Sequence, residues 1–72
     1  MTFYVVKHGS SAQNIRERSA AQIRERYDVI LKLAASSRME IWDVDPRTGD
    51  IMRRFVVDPN GDIMAFNAWL RG

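Results

Sequence analysis

Lys7-His8-Gly9-Ser10-Ser11 sets the chain's one histidine beside two serines, the side-chain types from which a nucleophile and its general base are built. The run stands where an apolar segment gives way to a polar one, a place where serines cap helices. No third residue is identifiable in the sequence to orient the imidazole, so a loop histidine with capping serines is the expected reading. The same stretch, opening a helix, would offer free backbone N–H groups to a phosphate, but it lacks the Gly-x-x-x-x-Gly-Lys spacing of a phosphate loop. Asp43-Val44-Asp45 with Asp50, and Asp58-Pro59-Asn60-Gly61-Asp62, bring together oxygen ligands suited to calcium. Neither places a glycine and a terminal glutamate at EF-hand offsets, and turn formation accounts for both. With no cysteine and a single histidine, thiolate and histidine-rich metal centres are excluded. The expectation is a protein that is not an enzyme and carries no metal and no cofactor.

The remaining chemistry is cationic. Ile-Arg-Glu-Arg occurs twice, as Ile15–Arg18 and Ile23–Arg26. On one continuous helix the two copies would not stack. With Ile23 at zero, the arginines point to about 20° (Arg16), 220° (Arg18), 100° (Arg24) and 300° (Arg26). Such a ring of charge suits a solvated helix better than a phosphate-tracking stripe, and Arg and Glu are strong helix formers without any ligand. Arg16 projects into the apolar stripe and Arg26 lies at its edge, so both are candidate anchors for a partner's carboxylate.

The elements that must position these residues are readable from periodicity. Phe3-Tyr4-Val5-Val6 is apolar on both alternating sets, as in a strand with neighbours on both sides. Ser10 and Gln13 fit a capping box, which predicts one long helix from Ser11 to Ser36 with Ile15, Ile23, Tyr27, Ile30, Leu31 and Ala34 on one stripe. Three strands follow, Arg38–Asp45, Asp50–Asp58 and Asp62–Asn67, joined by two similar Asp-Pro turns closed by Gly49 and Gly61. Asn67–Gly72 fits an extended tail or one helical turn. The whole reads as a single α+β domain over residues 1–72, one long helix packed on a four-stranded sheet. The order is β-α-β-β-β, with a C-terminal antiparallel meander and the first strand parallel to a meander strand through a right-handed crossover.

Such a meander has two apolar faces and one helix to cover them. If the glycine turns fix the registers, Trp42 faces Arg53, Val44 faces Ile51, and Phe55 faces Ala65. Trp42, Phe55 and Val57 are taken as the inner core, the counter-reading being that the methionines fill the core and the two faces are exchanged. Met39, Ile41, Met52, Met64 and Phe66, with Arg54 among them, form an uncovered face. Methionine adapts to varied surfaces, so Met39, Ile41, Met52, Arg54, Met64 and Phe66, with Arg16 and Arg26, are the expected contacts for a protein partner or a second copy in a homodimer. The alternative is nucleic acid, held by Trp42, Arg53, Arg54, Arg18 and Arg24.

Charge bounds that alternative. The net charge is +2: residues 1–39 carry seven Lys/Arg against three Asp/Glu, and residues 40–72 carry four against six. An acidic meander repels phosphate, so nucleic acid is the second choice. No small-molecule substrate is expected. The opening residues lack the basic segment of a signal peptide and no apolar run approaches a membrane span. The expected setting is therefore cytoplasmic, with no membrane contact. At 72 residues without disulfides, a partner surface is also the natural source of extra stability.

The order strand, helix, three-stranded meander, with Tyr4-Val5-Val6-Lys7 opening the chain and hairpins at Gly49 and Asp58-Pro59-Asn60-Gly61, resembles small phage-encoded anti-CRISPR proteins. The resemblance implies a non-enzymatic inhibitor that docks on a bacterial defence nuclease complex. No site residue follows from it, because those proteins share no common binding motif.

Overall fold

The first apolar run is strand β1 (Thr2–Lys7), and it is apolar on both sides because it is an interior strand. The computed structural model describes residues 2–9 and 15–72. After β1 come β2 (Ile15–Arg18), α1 (Ala20–Glu25), α2 (Tyr27–Ala34), β3 (Met39–Val44), β4 (Ile51–Val56) and α3 (Ile63–Arg71). The sheet is antiparallel throughout, in the order β2-β1-β3-β4. The α+β class holds; the single long helix, the parallel first strand and the three-stranded meander do not.

The predicted long helix is replaced at its start by an edge strand. Ile-Arg-Glu-Arg alternates as readily as it winds, and β2 pairs with β1 so that Phe3 faces Arg18 and Val5 faces Arg16. Charged side chains suit an edge strand, where they discourage further pairing. The helix begins instead at Ser19, whose hydroxyl accepts from the Gln22 N–H at 3.2 Å while the Ser19 N–H donates to Gln22 Oε1 at 2.8 Å. The capping box expected at Ser10 and Gln13 lies outside the described residues. Helices α1 and α2 are nearly continuous, interrupted at Arg26 (φ −113°, ψ 17°), whose N–H is shared between the carbonyls of Gln22 and Ile23.

The second correction is at the C-terminus. Asp62 is an N-cap, its carboxylate accepting from the Met64 N–H at 3.0 Å, and the expected third strand is helix α3. The two Asp-Pro turns differ accordingly. Gly49 takes the positive φ (76°) of a hairpin between β3 and β4, with Asp45 and Asp50 bonded across it. Gly61 is not in that region; its N–H closes a turn onto the Asp58 carbonyl that leads into α3.

The third correction is one of face. A bulge at Asp43/Val44 keeps Val44 opposite Ile51 but sets Asp43 opposite Arg53 and Trp42 opposite Arg54. One extra residue moves the rest of β4 to the other side of the sheet. The inner face therefore carries Phe3, Met39, Ile41, Phe55 and Val57, and all three helices pack on it through Ile23, Tyr27, Ile30 and Phe66. Phe66 is fully buried, its ring centroid 5.6 Å from Tyr27, 6.0 Å from Phe55 and 5.9 Å from Trp69. Arg53 ties α3 to the sheet. Its guanidinium lies 4.4 Å from the Trp69 ring centroid, donates to the Trp69 carbonyl at 2.6 Å, and pairs with Asp43 at 3.1 Å. A cation at the last turn of a helix also complements the helix dipole.

Candidate functional site

Because β2 is an edge strand and the chain turns at Ser19 straight into the helical layer, a groove of about 300 Å³ opens between β2 and the helices. Its floor and wall are apolar: Val5 and Met39 from the sheet, Ile23, Val29, Ile30 and Leu33 from α1 and α2. Among the described residues its polar lining is Gln22 and four cations. Register fixes two of them, since Arg16 and Arg18 share the inner face with Val5 and Phe3. Lys7 comes from the end of β1 and Arg26 from the break between α1 and α2. Among the described residues no carboxylate lines the groove and none of the four cations is in an ion pair. Four like charges around an apolar floor repel one another, and an anionic group entering between them relieves that repulsion.

The residues expected to form one contact face are dispersed. Ile41 (0% exposed) and Phe66 (0%) are core residues and cannot meet a partner while the chain is folded, and Met39 (2%) closes the base of the groove with almost no surface of its own open. Met52 and Met64 are exposed, one on the edge strand β4 and the other on α3. Arg54 lies on the outer face of the sheet, 5.3 Å from the Trp42 ring centroid. Arg53 is on the inner face, so Trp42, Arg53 and Arg54 do not make one stacking platform. Arg24 is exposed on α1 and does not line the groove. Of the expected anchors, Arg16 and Arg26 are brought together, and Arg18 joins them. Lys7 escaped sequence reasoning because its membership depends on how far β2 runs beside β1.

The outer face holds a second cluster. Glu40 is 5% exposed and accepts from two side chains, Trp42 Nε1 at 2.9 Å and Arg38 Nε at 3.0 Å, with His8 Nε2 in ion-pair contact 2.7 Å from its carboxylate. The Trp42 indole, then Arg38 and His8, hold its carboxyl below the ordinary range against the opposing effect of burial. Glu40 is thus the group that orients His8, which sequence reasoning did not find; Ser10 and Ser11 lie outside the described residues. In the core, burial, aided by Asp62 and Asp58, pushes the Tyr27 phenol above its ordinary value.

Among the described residues no group of three or more His, Cys, Asp or Glu is arranged to hold a metal ion, and no helix is long and apolar enough to cross a membrane. The chain matches no known family model, and neither a curated protein nor a solved structure is significantly similar to it.

Proposed function

We propose that the protein is a non-catalytic binding module that takes an acidic, apolar segment of another protein in the groove between β2 and the helices. The observation that carries this reading is the pairing of an apolar floor with four cations and no carboxylate. Acidic side chains of the partner meet Lys7, Arg16, Arg18 and Arg26, while its apolar side chains cover Val29 and Leu33, the exposed apolar residues of the groove. A bacterial nuclease complex, the partner class named by the resemblance to phage inhibitors, enters this reading only as one source of such a segment.

Nucleic acid is the second reading, favoured by the same four cations. Among the described residues no aromatic side chain lines the groove for bases to stack on, and the outer-face aromatics stand beside Glu17 and Glu40. The two readings separate by fluorescence anisotropy with a labelled peptide of alternating Glu and Leu, a Lys/Leu control and a single-stranded oligonucleotide. The Glu/Leu peptide is expected to bind, weakening with salt. The double variant R16E/R26E is expected to lose about tenfold or more in affinity, the sum of several exposed charge pairs reversed at once. Equal binding of the Glu/Leu peptide to wild type and variant removes the groove as its site; preferential oligonucleotide binding with a steep salt dependence replaces the first reading by the second.

A further inference from the structure

The outer face of the sheet is covered by none of the three helices, which all pack on the inner face. It presents three rows of residues across the strands. The central row reads Glu17, Tyr4, Trp42, Arg54 from β2 to β4. The next reads Ile15, Val6, Glu40, Val56, and the last Thr2, Val44, Ile51; in these rows Val6, Glu40 and Val44 are buried, so the open apolar surface is Ile15, Val56 and Ile51. Ile15, Ile51 and Val56 are between 37% and 50% exposed, which is unusual for aliphatic strand residues without a covering layer. Opposite charges stand at the two ends of the central row, and among the described residues neither Glu17 nor Arg54 is in an ion pair.

We infer that this face is an interface with a second copy of the chain, packed sheet on sheet about a two-fold axis running along the strands between β1 and β3. That axis exchanges β2 with β4 and β1 with β3. It sets Glu17 over the partner copy's Arg54, Tyr4 over Trp42 and Ile15 over Val56, with the buried Val6 over the buried Glu40, so the exposed residues of the face are complementary to themselves: Glu17 with Arg54 in charge, Ile15 with Val56 in apolar surface. A two-fold contact requires this kind of self-complementarity, and aligned sheet packing supplies its geometry. Edge-to-edge association is disfavoured: the open edges carry Arg16 and Arg18 on β2, and Arg53 and Arg54 on β4. Each copy's groove lies on the inner face, away from the contact, so dimerisation and groove binding are independent.

Charge reversal and cross-linking test the pairing. By light scattering on a dilution series, the wild type is expected to be a dimer that dissociates on dilution. Glu17→Arg alone, or Arg54→Glu alone, sets like charges opposite each other twice per dimer and is expected to raise the dissociation constant about tenfold or more. The double variant E17R/R54E restores opposite charges and is expected to restore the dimer. The cysteine-free chain permits an independent check. Within one copy, positions 17 and 54 are separated by three strand spacings of about 4.8 Å, beyond the roughly 7 Å limit of a disulfide. Sheets packed face to face stand about 10 Å apart, also too far for a direct disulfide, so a short bismaleimide serves as the bridge: it is expected to join E17C/R54C into a covalent dimer, while E17C and R54C alone do not form one. A monomeric wild type at millimolar concentration overturns the inference. So does a dimer indifferent to the single reversals, or one that the double reversal fails to rescue, or cross-linking that is equal in the single and double cysteine variants.

Discussion

Met64 and Phe66 are two residues apart, and that spacing distinguishes a strand from a helix. In a strand both side chains leave the same face; in a helix they diverge by about 200°. In α3, Met64 is 71% exposed and Phe66 is fully buried against Tyr27, Phe55 and Trp69. Phe66→Ala removes a ring from a packed aromatic cluster and is expected to cost about 3–5 kcal/mol. Total stability for 72 residues is on the order of 4–11 kcal/mol, at about 0.05–0.15 kcal/mol per residue. The loss is therefore a large share of the whole and lowers Tm by roughly 15–30 °C. Met64→Ala removes exposed methylenes and gains helix propensity, so its effect stays within about 0.5 kcal/mol. The assay is urea unfolding followed by far-ultraviolet circular dichroism and by the emission of Trp42 and Trp69, with Phe66→Leu as a milder control. Comparable costs for M64A and F66A would refute the helix, because that is the signature of two residues on one strand face.

Two further predictions follow the titrating groups. Glu40→Gln keeps the shape of the side chain but loses the charge that Trp42 and Arg38 donate to and His8 faces, and is expected to cost about 1–2 kcal/mol at neutral pH. Since the folded carboxyl is held below its ordinary value of 4.5, the unfolded chain takes up the proton first as pH falls. The gap between wild type and E40Q in thermal melts should thus be full above that value and close below it; a gap that persists at pH 2 contradicts the assignment. For Tyr27 the sign is opposite. Its phenol is raised above 10.0, so its contribution is intact below that pH and is lost as pH rises past it, when the unfolded chain ionises first. Tyr27→Phe should abolish this part of the alkaline loss, seen as a flatter dependence of Tm on pH above 10 than in the wild type.

The elements that were legible in the sequence are those with a single consistent local signal. Phe3–Val6 is apolar on both sides and lies inside the sheet. The Asp45–Asp50 turn needs one positive φ and has a glycine for it. Where two local signals compete, tertiary packing decides. Ser10-Ser11-Ala12-Gln13 and Ser19-Ala20-Ala21-Gln22 both fit a capping box, and taking the first as the helix start makes Ile15–Arg18 helical. The second is the start that forms in the described residues, and it releases Ile15–Arg18 to pair with β1. Likewise Asp58–Asp62 resembles the preceding hairpin, but Ile63, Phe66 and Leu70 recur at helical spacing and Asp62 is placed to cap them.

These local choices also determine where chemistry is placed. On a continuous helix Arg16, Arg18 and Arg26 point in different directions, and the doubled quartet has no recognition surface. Once Arg16 and Arg18 belong to a strand they share one face by the period of two. The break at Arg26 then sets a third arginine across from them, over a floor the helix stripe had already made apolar. The bulge at Asp43/Val44 acts in the same way on the other side of the molecule. Without it Arg53 would stand on the outer face opposite Trp42; with it Arg53 turns inward to hold Asp43 and Trp69, and Arg54 takes the place beside Trp42 at the end of the row begun by Glu17. Both candidate surfaces therefore depend on pairing between segments distant in sequence, which is why residue types were visible in the sequence while their assembly was not.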